Sequence, residues 1–453
     1  MAINREWRAW LASFAVLPFV PALSGVVILA LTGRVCWRSR RSLWGDRDVR
    51  LLLVWVGLLI AGIFSAVDPY EASLGAFNFV PFVVMFAAMS RVFTTPDRLR
   101  QLAWAIVLPS IGVCAIGLGE LFWGWNDRGF PGLIDWQLVA GGTPPGRMSS
   151  VFLHANSLAD YAAIVLALTL GLWCDAVPRR PTVQSEISPE TPPEIQAQGL
   201  SSDASQLQEF HRSSWQTGLI LSVTIAANLT ILALTSSRNG WGVACLVLLA
   251  FLIYRHWWAI VAAIHACIAI VLAAAFAPEA IAQPFRAIIP YAIWGRLSDR
   301  MYPDRPIGSL RATQWHYAIE MIGDRPFGGW GLQSFSPLYE AQSQFFVGHP
   351  HNLYLMLAAE TGTIATLLIL VVVGGIIARA AMNLIRGNLQ PEARSLVFGY
   401  TIAFLATSGY HMLDIPLFQP QVNLLGWALL AGLVGIGTRS IPQTQYTERV
   451  TSG

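Results

Sequence analysis

Three polar positions in an otherwise apolar chain carry the groups that chemistry requires. The stretch Gly348-His349-Pro350-His351-Asn352 stands where a polar segment, residues 278–350, gives way to an apolar run. Proline fits the first position of a helix, which makes His349 the expected cap and His351 a first-turn residue. The positive end of a helix disfavours imidazolium, so a neutral His351 could take a proton from a hydroxyl, as a general base does. The plain alternative is an interfacial ring bonded to water or backbone.

The other two positions are cations. Arg238 lies in Ser236-Ser237-Arg238-Asn239-Gly240-Trp241, a tight turn between apolar runs. A cation so close to hydrocarbon is costly unless it snorkels or is paired, and snorkelling alone would explain it. Arg311 is expected in the first turn of a helix over roughly 310–322, capped by Ser309 and stopped by Gly323 and Asp324-Arg325-Pro326. The dipole disfavours a cation there, whereas a helix start and a guanidinium together suit an anion such as a diphosphate. Trp315, four residues on, shares its face. An arginine stacked on tryptophan and paired with Asp304 is the plain alternative.

The elements that must position these groups follow from composition. Of 453 residues, 55% are hydrophobic and 12% charged, with mean hydropathy +0.52, well below the charge share of soluble domains. Several runs are long enough to cross a bilayer. We read spans at roughly 9–33, 51–67, 75–93, 101–123, 151–174, 215–235, 240–254, 257–277, 353–380, 395–412 and 421–437, an all-α polytopic bundle. Arg34, Arg38, Arg40, Arg41, Arg47 and Arg50, then Arg91, Arg98 and Arg100, then Arg379, Arg386 and Arg394, fill alternate loops, which places those loops inside. Residues 68–74, 124–150, 236–239, 278–350 and 413–420 are then outside. Arg5 and Arg8 also favour the inside, and Pro18 and Pro21 could split the first run in two, so eleven or twelve spans are expected.

The domain reading is spans with a disordered linker at about 178–214 over residues 1–277, an outer helical cap at 278–350, and closing spans with a short tail at 351–453. The cap holds Trp294, Tyr302, Trp315, Tyr317, Phe327, Trp330, Phe335, Tyr339 and Phe345, enough apolar surface to pack. The linker is rich in Pro, Ser, Gln and Glu without apolar periodicity. The five cysteines are scattered along apolar runs, so neither a disulfide framework nor a structural zinc is expected. All 29 basic residues are arginine, and nothing resembles a basic groove for nucleic acid. Asp46-Arg47-Asp48 has the form of a metal-nucleotide motif, but its short loop cannot hold a nucleotide sugar. Glu360 lies half a turn round the helix from His351 and ~13 Å along it, too far to orient the ring.

Taken together, Ser237-Arg238-Asn239-Gly240-Trp241, Arg311 with Trp315, Asp324-Arg325-Pro326-Phe327-Gly328-Gly329-Trp330-Gly331, and His349-Pro350-His351-Asn352 leading into Glu360-Thr361-Gly362 resemble the O-antigen ligase and polymerase family of bacterial membrane glycosyltransferases. The resemblance covers about 215–437, with Asn156 a weaker further match. It implies twelve spans with both termini cytoplasmic in the bacterial inner membrane, and a site facing the periplasm. It also implies inverting, metal-independent transfer of a glycan from undecaprenyl diphosphate, without a cofactor. The acceptor would be a hydroxyl of another glycan, of lipid A core or of a protein. His351 resembles the activating base and Arg238 and Arg311 the groups that hold the diphosphate, with Asn352, Trp315 and His349 in support. A small-solute transporter of bicarbonate type is the alternative, although few ionisable groups fall near mid-membrane.

Overall fold

The structure, a computed structural model, describes residues 5–437 apart from 44, 127–137, 177–214, 299, 302–303 and 305. The linker expected at 178–214 and Tyr302 therefore lie outside the described residues. All the regular elements described are helical, as the apolar periodicity predicts.

Seven helices are long and apolar enough to cross a membrane by length and composition. Two apolar helices of the bundle, α10 (Arg238–Tyr254) and α19 (Pro420–Gly437), are shorter. Two others fall outside that count for visible reasons: α3 (Arg47–Phe64) starts on three charged residues, and α18 (Pro391–Tyr410) turns Tyr400, Thr401, Thr407 and Tyr410 inward.

The first apolar run is not one helix. It breaks at Pro18 into α1 (Arg5–Val16) and α2 (Pro21–Leu43). Glu6 near the start of α1 accepts from Arg38 near the end of α2 at 2.9 Å, so the pair folds back on itself. Twelve residues of helix reach only ~18 Å, less than a bilayer core. Trp7, Trp10 and Phe14 of α1 instead pack edge-on around Phe93.

At the centre lie α8 (Ala155–Ala176) and α18, which pack along their length. Gly171 and Gly399 face each other so closely that an added Cβ on either would press on the other's Cα, the small-residue packing that lets apolar helices approach. Buried polar groups lock the pair: Thr407 Oγ1 donates to Asp160 Oδ2 at 2.8 Å. The helix α10 packs on both members, and α17 (Thr363–Ile385) and α19 pack on α18.

The arginine-rich loops come together at one end. Arg91 reaches Asp46, Arg100 reaches Asp175, and Arg379 bonds Asp48. The two carboxylates of the apparent metal motif are thus used structurally, Asp46 also capping α3. At the opposite end lie α12 (Glu279–Ile288), α13 (Tyr291–Leu297), α14 (Arg311–Asp324) and α15 (Phe335–Ser343). Of these, α14 and α15 surround a small core of Ala318, Met321, Phe335, Tyr339 and Val347, closed by Ala359 of α16 (Leu353–Thr361), while α12 and α13 pack on the preceding apolar helix, Trp258–Phe276. Gly362, at φ +82°, turns α16 into α17 where any side chain would strike the Phe327 carbonyl.

Candidate active site

The histidine loop is built by its cap. Asn352, not His349, caps α16, its side chain accepting from Tyr354 N at 3.0 Å and Leu355 N at 3.1 Å. Pro350 therefore lies outside the helix, and the expectation that His351 occupies its first turn is corrected. His351 instead adopts φ +53°, which helix geometry forbids. The helix dipole is not what orients its ring.

Asp414 is. His351 Nδ1 lies 2.9 Å from Asp414 Oδ1. Burial alone would raise the pKa of Asp414, but the hydrogen bond and charge of His351, with smaller help from His349 and the Ile415 N–H, hold the carboxyl well below the usual carboxylate range. An ionised carboxylate accepts, so Nδ1 carries a proton, and in the neutral form of the ring the lone pair is on Nε2. His349 Nδ1 accepts from His351 N at 3.2 Å, which fixes the turn. Burial, with the charges of His351 and Arg311, lowers His349 to about 4 and keeps it neutral at ordinary pH.

The second oxygen of Asp414 leads to the arginines. Asn156 Nδ2 donates to Asp414 Oδ2 at 2.6 Å, and Arg147 Nη2 donates to Asn156 Oδ1 at 2.6 Å. Arg147 Nε also donates to the Thr235 carbonyl at 2.7 Å. Its loop is clamped by buried Glu120, whose carboxylate accepts from Ser149 N, Ser149 Oγ and Ser150 N.

Arg147 and Asn156 border a hollow of about 150 Å³ into which Arg238, Arg296 and Arg311 also face. The hydroxyls of Ser236 and Ser237 and the amide of Asn239 complete the wall as far as the described residues show. Arg238 occupies the first position of α10 after the Ser237 cap, and Nη1 donates to the Arg296 carbonyl at 2.6 Å. Arg311 opens α14, as the sequence predicts. Ser309 does not cap that helix: Pro306 starts a 3₁₀ turn there, the Ser309 hydroxyl is spent on the Pro306 carbonyl at 2.7 Å, and Leu310 precedes α14. Trp315 donates Nε1 to the Pro350 carbonyl at 2.9 Å, tying the arginine helix to the histidine loop.

The structure thus gathers His351, His349, Asn352, Trp315, Arg238 and Arg311 at one end of the bundle. It adds Arg147, Arg296 and Asp414, which the sequence reading missed, and moves Asn156 to the centre. Glu360 is buried and accepts from Phe335 N at 3.0 Å, a role in the cap rather than at His351.

The arrangement can bind an anion of diphosphate size beside an imidazole with an open nitrogen. One other property bears on metals. His349, His351 and Asp414 each bring one ligand atom within 4.8 Å of the others, a set able to hold an ion, although the ion would occupy the same atoms that orient His351.

Comparison with known families bears on the remaining readings. Residues 223–370 match the O-antigen ligase family. No curated protein matches the chain. The matched segment runs from α9 (Trp215–Leu234) into α17 and contains Arg238, Arg311, Trp315, His349, His351 and Asn352. Arg147, Asn156 and Asp414 lie outside it, brought to it only by folding. The apolar helices are those of a multi-pass membrane protein, and the match over this segment supports an O-antigen ligase-type membrane glycosyltransferase. It gives the transporter reading no support.

Proposed function

We propose that the protein moves a glycan from undecaprenyl diphosphate to an acceptor hydroxyl at the outer, periplasmic face of the bacterial inner membrane. His351 Nε2 takes the acceptor's proton as its oxygen bonds to the anomeric carbon. The bond from that carbon to the diphosphate oxygen breaks, and its electron pair leaves with the diphosphate. One displacement on the opposite face inverts the anomeric centre. Asp414 stabilises the imidazolium that forms. Arg238 and Arg311, joined by Arg147 and Arg296, hold the leaving group, and positive charge aimed at that group is of the kind that lowers barriers by several kcal/mol. Four guanidiniums supply this charge without a divalent ion.

One observation carries the reading: the unbroken hydrogen-bond chain from His351 through Asp414 and Asn156 to Arg147, which couples a proton acceptor to an arginine-lined hollow. The test is His351→Ala and, separately, Arg238→Lys in cells whose lipid-linked glycan is followed. Both variants should reach the membrane at normal levels, abolish surface glycan and leave the glycan on undecaprenyl diphosphate. Normal glycan from His351→Ala refutes the base. Single repeat units on the carrier after loss of the protein identify a polymerase, and long chains a ligase.

A further inference from the structure

One face of α12 is apolar and uncovered. Ile281, Phe285 and Ile288 recur along it at helical spacing, while Glu279, Gln283 and Arg286 fall on the opposite side. Ile281 is 55% and Ile288 75% exposed, so nothing among the described residues packs over this face. The side of α12 that meets protein is another: Ala282 is fully buried, and Arg286 Nε donates to the Ala274 carbonyl at 2.8 Å.

That bond fixes the height of the helix. Ala274 lies in the last turn of α11 (Trp258–Phe276), an apolar span in which Val261, Ala274 and Ala275 are the buried residues. Two residues of helix rise ~3 Å, so the Arg286 guanidinium meets the terminal carbonyls of α11 where the span leaves the hydrocarbon. Glu279 accepts from the same guanidinium at 2.7 Å, and the ring of Trp294 in α13 lies 4.3 Å from it. Tyr291 packs edge-on against Trp294, and Arg300 stands over that ring at 5.9 Å. Tryptophan, tyrosine and arginine beside an apolar face are what a helix lying in a membrane interface carries, and bilayer is the apolar phase that adjoins α11 at that height.

The next helix joins this element to the arginine hollow. Arg296 belongs to α13; it lines the hollow, and its carbonyl accepts from Arg238 Nη1 at 2.6 Å. We propose that α12 and α13 form a foot seated in the leaflet at this end of the bundle, with Ile281, Phe285 and Ile288 among the upper acyl chains, and that the lipid surface thereby keeps Arg296 in the wall of the hollow. The partner is the bilayer rather than a second protein, because the uncovered face adjoins a span that turns most of its surface to lipid, and the aromatic and cationic side chains beside it suit headgroups. The link to Arg296 rests on the transfer reaction proposed above, whereas the seat does not.

The seat is tested by the accessibility of a nitroxide on the full-length protein in vesicles of phosphatidylethanolamine and phosphatidylglycerol, after alanine has replaced the five cysteines. Labels at Ile281→Cys and, separately, Ile288→Cys should relax faster with oxygen, which concentrates in hydrocarbon, than with a water-soluble nickel chelate. A label at Gln283→Cys, on the opposite side of α12, should show the reverse order. Nickel dominant at all three positions puts the face in water and overturns the proposal. Exclusion of both reagents at Ile281 and Ile288 means that protein, such as a second copy of this chain, covers the face, and overturns it equally.

The link to the hollow is tested by the double variant Ile281→Asp/Ile288→Asp, which drives the face out of hydrocarbon. A label at Tyr291→Cys should change from oxygen-favoured to nickel-favoured in that background. Transfer in the same vesicles should fall about tenfold or more at an unchanged membrane level, since the apolar contacts of two isoleucines are lost. Full transfer from a foot that has left the lipid overturns the role given to the bilayer in holding Arg296. Accessibility is read without catalysis, so a failure of the transfer reading, seen as normal glycan from His351→Ala, leaves the test of the seat intact.

Discussion

Replacing Asp414 by Asn removes one charge and keeps the shape. In the native site Asp414 accepts three hydrogen bonds, from His351 and Ile415 N on one oxygen and from Asn156 on the other. An amide has one oxygen, so it must turn its NH₂ either toward the Asn156 NH₂ or toward His351. In the second arrangement His351 Nδ1 must accept, which puts the ring proton on Nε2 and removes the lone pair that would take the acceptor's proton. In the first the tautomer survives, but the imidazolium formed during transfer has no counter-charge. Two unit charges 2.9 Å apart attract by about 6 kcal/mol at an effective dielectric of ~20. Because the His351 side chain is 32% exposed, solvent screens part of that attraction. General-base assistance of ~10² to 10⁴ corresponds to about 3–5 kcal/mol, so transfer should fall by that factor. The assay is the first-turnover rate in membrane vesicles preloaded with lipid-linked glycan, normalised to protein in the membrane, with thermal unfolding as a check on the fold. A rate within threefold of the native protein would refute the account of how His351 is activated.

Arg147→Lys tests the residue that joins the two halves of the site. A single ammonium cannot span both the Thr235 carbonyl and Asn156 Oδ1 as the guanidinium does, so transfer should drop by about 10²-fold, with donor remaining on its carrier. The pH dependence of unfolding should carry the mark of His349, whose folded value of about 4 lies below the ordinary 6.5. The unfolded chain binds that proton first, so stability should decline as pH falls from ~6.5 toward ~4, and His349→Gln should flatten that part of the curve in thermal melts. Asp414 acts lower: its depressed value stabilises the fold above the unfolded value of ~4, and that contribution is lost as pH falls further. Chelator should leave the transfer rate unchanged, whereas micromolar zinc should inhibit by occupying His349, His351 and Asp414; loss of activity in chelator would contradict charge supply by arginine alone.

What could be read from the sequence was whatever a single segment reveals. Hydropathy and arginine placement give the bundle and which loops share a face, because those properties are set by local composition. Arg238 and the histidine loop stand out because each is a polar group at the mouth of an apolar run, and Arg311 because it is a cation in the first turn of a helix. Asp414 and Arg147 did not stand out, since each becomes meaningful only through partners far along the chain. A signal for Asp414 was present: it is the only acidic residue between His411 and Gly437 and sits in an outer turn, where a lone carboxylate beside hydrocarbon needs a partner. The cap positions failed for a different reason. Ser309 and Pro350 are good helix starters by type, but Pro306 draws Ser309 into its own turn, and Asn352 competes better for the free N–H groups of α16.

The four arginines explain why such a site must be assembled from distant segments. Guanidiniums facing one small hollow repel one another, and holding several of them together costs free energy. Such crowding persists only where the surrounding structure holds it. Here Glu120 clamps the Arg147 loop, the Ser237 cap fixes Arg238 at the start of α10, and Trp315 ties the Arg311 helix to Pro350. Each anchor belongs to a rigid helix end, so the cations cannot relax apart. A diphosphate diester brings two negative charges to this hollow, and cleavage of its bond to the sugar adds a third. Fixed positive charge therefore binds the leaving group more tightly as the bond breaks than before, which is the differential binding that accelerates a reaction. The same reasoning places the base at a distance from the cations: His351 must become positive in the same step, and Asp414 and Asn156 stand between it and Arg147.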